Sequence, residues 1–267
     1  MLAFRSGFFR KRHGISGGSS TQLSVFTPTN PLDISGSVIS QLAEIAIKLR
    51  LADYTSGQCD VSSSSVLGGK IGPVTVKGRG WRSGRGLSCR LIEATVQSCE
   101  LDFGRIISSQ KLVLTRPAEG KAMIALNKED FGNFITHPLM KPPQVVAGEA
   151  PTFLKENTAI NAKEGTVVFF SKFRGHKWRC TLQRSPSASG TAKVTATLAN
   201  PDTDVPRQLE EELTGSLTKF FNDMVYELDG TFLSYRDMMV TDKGSSPSIM
   251  LALNILVRKF PSPGIDF

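Results

Sequence analysis

Apolar positions along this chain follow two periods, and the places where one gives way to the other mark its elements. Leu209, Leu213, Leu217, Phe220, Phe221 and Met224 form one stripe at helical spacing, opposite Glu210, Glu211, Lys219, Asn222 and Asp223. Pro206 suits the first turn, where its missing N–H costs nothing. The pattern predicts a helix over 207–226, a rod of roughly 30 Å at 1.5 Å per residue. At Asp229-Gly230, a turn signal, the period drops to two. Thr231, Leu233 and Tyr235 then alternate with Phe232, Ser234 and Arg236 in a strand that runs to Val240. In a last strand over 248–257, Ile249, Leu251, Leu253, Ile255 and Val257 share one face.

Upstream, a stripe of Val38, Leu42, Ile45 and Leu49 predicts a first helix over 34–51. Strands follow at 58–67, 74–81, 87–101, 109–116 and 120–126, with a turn at Ser83 to Gly86. Asn127, with Asp130 three residues on, caps a short helix over 128–135 that Pro138, Pro142 and Pro143 end. Strands resume at 153–160, 166–173, 177–184 and 191–199, with hairpin turns at Glu164-Gly165 and Arg174-Gly175. Strands grouped apart from helices imply an α+β fold, a curved antiparallel sheet wrapped around the long C-terminal amphipathic helix. The domain expected over 32–260 falls into halves, 32–143 and 151–260, after a basic arm (1–31) and before a tail (261–267).

Composition is that of a globular protein, with 40% apolar residues and 24 glycines. Arg5, Arg10, Lys11 and Arg12 carry half of the net charge of +8, and the first acid is Asp33. An arm rich in Arg, Ser and Gly without acids has the make-up of a transit peptide; a short disordered basic arm is the alternative. No apolar run approaches the roughly 18 residues of a membrane-spanning helix. Cys59, Cys89, Cys99 and Cys180 form no C-x-x-C pair and read as reduced, buried thiols.

The chemistry-bearing residues point away from catalysis. His13, His137 and His176 lack companions at metal-ligand spacing, and no nucleophile or phosphate-loop motif is present. No enzyme, metal or cofactor is expected. Two acid-free windows carry the positive charge. The first, between Asp60 and Glu93, holds Lys77, Arg79, Arg82 and Arg85 beside Trp81. The second, between Glu164 and Asp202, holds Arg174 and Lys177 beside Trp178. Basic hairpin tips with an aromatic suit an anionic membrane surface or a phosphate backbone. They also fit an ordinary solvated sheet face. The strand and helix faces of Leu112, Leu114, Val167, Phe169, Phe173, Leu213, Leu217, Phe220, Phe221, Leu251, Leu253 and Ile255 must meet something apolar. A plain core would serve, and so would a channel for an acyl chain, which gains about 0.8 kcal/mol per buried CH₂.

Several runs, taken in order, resemble the LmeA-like family of phospholipid-binding proteins, in its cyanobacterial and plastid branch. They are Val66 to Ile71, Val76 to Gly80, Cys99 to Ile106, Leu126 to Phe131, and Phe220 to Met224 followed by Glu227 to Gly230. The resemblance spans about residues 32–260 and rests on the order and spacing of these runs. It implies a peripheral membrane protein that binds phospholipid or glycolipid, of elongated, tubular lipid-binding architecture with an apolar tunnel, and, behind the transit-like arm, a chloroplast location, with a cytoplasmic, peripheral-membrane location as the alternative. Nucleic-acid binding and a ligand-free structural adaptor are the alternatives.

Overall fold

A computed structural model describes residues 51–62, 69–102, 104–105, 113–141, 143, 149–201, 205–228, 230–243 and 246–259. The chain partitions into Met1–Asp33 and Ile34–Phe267, and all described residues lie in the second unit. The expected helix over 34–51, the basic arm and the tail fall outside the described residues, apart from Leu51. That residue opens strand β1 (Leu51–Asp53).

Strands dominate. β2 (Ser56–Val61), β3 (Lys70–Ile71), β4 (Val74–Ser83), β5 (Ser88–Val96), β6 (Cys99–Glu100) and β7 (Ala118–Leu126) precede helix α1 (Lys128–Ile135). β8 (Thr152–Asn161), β9 (Thr166–Phe173), β10 (His176–Arg184) and β11 (Ala192–Leu198) form a four-stranded meander. Helix α2 (Arg207–Asn222) leads into β12 (Val225–Leu228), β13 (Thr231–Thr241) and β14 (Ser248–Val257). The large sheet runs β1-β4-β5-β7-β14-β13-β12, with β2 also paired to β4. The last strands therefore return to the first half of the chain, with Leu253 opposite Ala122 on β7. All these pairings are antiparallel.

This corrects the expected fold class. The protein is mostly β, its large sheet curls into a half-barrel, and its two described helices are short. No sheet wraps a long C-terminal helix, and the tubular architecture goes with it. The reason lies in the polar flank of α2. Thr214, Thr218 and Asn222 recur every four residues, a rise of about 6 Å. Alternate residues of a strand repeat every 6.6 Å or so, so the two rows match. Thr214 Oγ1 accepts from the N–H of Ala196 at 3.0 Å, Thr218 Oγ1 from Val194 at 3.0 Å, and Asn222 Oδ1 from Ala192 at 2.9 Å. Thr218 Oγ1 and Asn222 Nδ2 donate in return to the carbonyls of Val194 and Ala192. The helix thus stands where a fifth strand would, closing an edge that otherwise presents free donors and acceptors. Its Glu211 and Lys219 remain in solvent.

The helix also stops four residues early. Asp223 closes it, and Val225 to Leu228 pair with β13 instead. Its stripe of Leu209, Leu213, Leu217 and Phe221 is buried in a core shared by both sheets and both helices. Phe221 lies stacked on Phe131 with centroids 6.5 Å apart and edge-on to Phe169 at 5.7 Å, and Phe153 closes on Phe169 at 5.8 Å. Aromatic rings therefore fill the space beside α2 where an acyl tunnel was expected. α1 follows its sequence signals: Asn127 and Asp130 form the reciprocal capping box.

Candidate functional site

The large sheet itself builds the site. Seven strands at about 4.8 Å spacing would span about 29 Å if flat. Yet every strand on that path lends a side chain to one cavity. Leu51 comes from β1, Trp81 and Ser83 from β4, Ser88, Cys89 and Ile92 from β5, and Ile124 and Leu126 from β7. Leu251 and Leu253 come from β14, Leu233 from β13 and Tyr226 from β12, while Leu87, Phe134 of α1 and Met224 complete the wall. The cavity volume is about 130 Å³, and the atom-free space with its open mouth is about 790 Å³. An apolar cavity of about 150 Å³ stays dry and takes a benzene ring. The closed part therefore suits the end of one hydrocarbon chain, with the open part left for the rest.

Two glycines shape the wall at Trp81. Gly80 has φ of +62°, which re-aims the strand beyond it. A Cβ on Gly78 would lie 2.0 Å from Trp81 Cε2, so only glycine lets the indole lie across the strand. Trp81 Nε1 donates to the Ser56 carbonyl at 2.8 Å.

The polar atoms of the wall are spent on the protein. Ser83 Oγ accepts from the Leu87 N–H at 3.1 Å. Ser88 Oγ donates to Asp130 and accepts from Asn133 Nδ2 at 3.0 Å. Tyr226 Oη lies 3.3 Å from His137 Nδ1. Burial pushes the Tyr226 hydroxyl far above its usual value. The Cys89 thiol is pushed up to about 12, first by burial and then by the Asp130 charge, so it stays a neutral, weakly polar wall group at physiological pH. His137 is held below its usual pKa by burial and by the positive charge of Arg85. Arg85 lies in the β4–β5 turn, between the wall residues Ser83 and Leu87, so this exposed cation stands at the rim. Arg82 is also exposed, but it lies between Trp81 and Ser83 on β4, which both line the cavity, so alternation turns it to the other face of the sheet.

The structure separates the residues grouped from sequence. Of the apolar set, Leu251 and Leu253 line the cavity. Val167, Phe169, Phe173, Leu213, Leu217, Phe221 and Ile255 are packed in the core. Phe220 borders a different and larger depression of about 910 Å³ near Met140 and Val225, with Lys219, Asp223 and Glu227 in its wall; Leu114 is half-buried against the core; Leu112 lies outside the described residues. Of the basic set, Arg79, Arg82, Arg85, Arg174 and Lys177 are exposed, and Lys77 pairs with Glu93 at 3.1 Å. Arg174 lies over the Phe173 ring at 5.6 Å. Trp178 is not at any surface: it is wholly buried, its Nε1 donating to the Phe173 carbonyl at 3.1 Å. Trp81 is half-buried and forms wall rather than surface.

Sequence reasoning missed Leu51, Leu87, Ile92, Ile124, Leu126, Phe134 and Leu233 as wall residues. Alternation marked several as inward-facing, but only strand order shows that they meet. Among the described residues no group of three or more His, Cys, Asp or Glu is placed to hold a metal ion. No family model, curated protein or solved structure matches this chain.

Proposed function

We propose that this protein binds the acyl chain of a phospholipid or glycolipid, without catalysing a reaction, and holds or moves it between membrane surfaces. One observation carries the reading: seven of the half-barrel's eight strands converge on an apolar cavity whose polar atoms are already paired with the protein. Such a wall offers an incoming polar molecule nothing to replace its water, but rewards hydrocarbon. Each methylene buried there would gain about 0.8 kcal/mol, against which the cost of immobilising the ligand must be set. Arg85, exposed in the turn between the wall residues Ser83 and Leu87, offers a cation to an anionic head group. The resemblance of the sequence to the LmeA-like phospholipid-binding family supports the same class of ligand. Together with the acid-free arm, it makes a plastid the proposed location.

Titration with a fluorescent fatty acid, displaced by unlabelled phospholipid, tests the reading. Leu253→Trp should fill the cavity and abolish displaceable binding while the protein stays folded. Arg85→Glu should weaken anionic phospholipid more than a neutral lipid of the same chain length. Probe binding that is indifferent to Leu253→Trp would overturn the proposal.

A further inference from the structure

The outer face of the four-stranded sheet carries an arrangement that folding does not explain. Lys172 on β9 stands directly opposite Lys177 on β10. Like charges at opposed positions of a sheet repel. In the next row Arg179 neighbours Phe170, which neighbours Leu154 on β8. Lys193 on β11 closes the far corner, opposite Gln183. All four cations are exposed, and none has a carboxylate within ion-pairing distance among the described residues. β9, β10 and β11 contain no acid at all. Four rows at about 6.6 Å spread these charges over about 20 Å of one sheet face.

Charge complementarity calls for an extended anionic partner. A single nucleic-acid strand on a sheet needs open aromatic faces for its bases. Of the two rings here, Phe170 is covered by Lys177 Nζ, 4.8 Å from its centroid, and His176, which borders the same depression as Phe170, is half-buried. Half-buried Phe170 and Leu154 beneath long basic side chains suit a lipid surface instead, where the stems lie along hydrocarbon and the charged ends reach phosphate. We propose that this sheet face docks the protein on an anionic lipid bilayer. The docking does not depend on whether the cavity of the large sheet holds a ligand.

Vesicle sedimentation tests this with the full chain. Vesicles of phosphatidylcholine alone are compared with vesicles that also contain phosphatidylglycerol, at low and high salt. Wild type should bind only the anionic vesicles, and salt should weaken the binding. Each cation is worth about a fivefold change at an anionic surface. Lys172→Gln with Arg179→Gln should therefore weaken binding about 25-fold, with an unchanged circular dichroism spectrum. Leu253→Trp should bind vesicles as wild type does, which separates docking from ligand uptake. Three results would overturn the proposal: no preference for anionic vesicles, equal binding by the double variant, or tighter binding to a single-stranded oligonucleotide that displaces the vesicles.

Discussion

Thr218→Val isolates the contact that places helix α2. The Thr218 hydroxyl accepts the N–H of Val194 and donates to its carbonyl, at 3.0 and 3.2 Å. Val194 is wholly buried, so water cannot replace either bond. Valine keeps the shape of threonine and removes the hydroxyl. Two backbone groups are then left unpaired in the interior, a loss of about 2–4 kcal/mol. For a unit of this size that lowers the melting temperature by about 5–10 °C. Thr218→Ser keeps the hydroxyl and sheds one methyl, so it should cost under about 1.5 kcal/mol. Urea titration and calorimetry on the three proteins give the comparison, with similar denaturant slopes showing that the unfolded state is unaffected. If Thr218→Val lies within about 0.5 kcal/mol of wild type, the hydroxyl does not seal the sheet edge. The position of the helix then needs another cause.

Gly78→Ala should push the Trp81 indole off the strand, because its new Cβ would fall 2.0–2.4 Å from three indole atoms. The expected result is a loss of about 1–3 kcal/mol in stability, a red-shifted tryptophan emission and weaker binding of an acyl probe; an unchanged spectrum would contradict the packing. Stability should also fall on the alkaline side. Cys89 and Cys180 are raised from 9.0 to about 12 and about 11, chiefly by burial. Above pH 9 the unfolded chain releases both protons while the folded one keeps them, so the loss begins at pH 9 and grows to about 5 kcal/mol by pH 11. The double variant Cys89→Ala with Cys180→Ala should make that limb shallower and leave the part above pH 10 that the raised hydroxyls of Tyr226 and Tyr235 contribute, and an equally steep limb would show that the thiols play no part.

Local elements were legible because local patterns decide them. Thr166–Phe173 and Ser248–Val257 are apolar runs of strand length bounded by turn residues, and Asn127 with Asp130 writes a helix start that the structure keeps to the residue. The architecture was not legible. The stripe of α2 says that one face is buried, but a stripe is the same whether a helix lies inside a tube or along a sheet edge. Thr214, Thr218 and Asn222 hold that information, and they read as ordinary surface polars until β11 is set beside them. The cavity escaped for a similar reason. Ile92, Ile124 and Leu253 belong to strands far apart in sequence, joined only by the β5-β7-β14 order. Trp178 shows the opposite error: a basic neighbourhood suggested a surface, while strand alternation pointed its ring to the core.

The most direct test is mass spectrometry of lipid carried by the protein purified under mild conditions, with Leu253→Trp prepared in parallel. An acyl-chain lipid in wild type, at near one per chain and depleted in the variant, is the predicted result. Wild type with no bound lipid, even after incubation with phospholipid vesicles, would contradict the claim that the curled sheet encloses a lipid site.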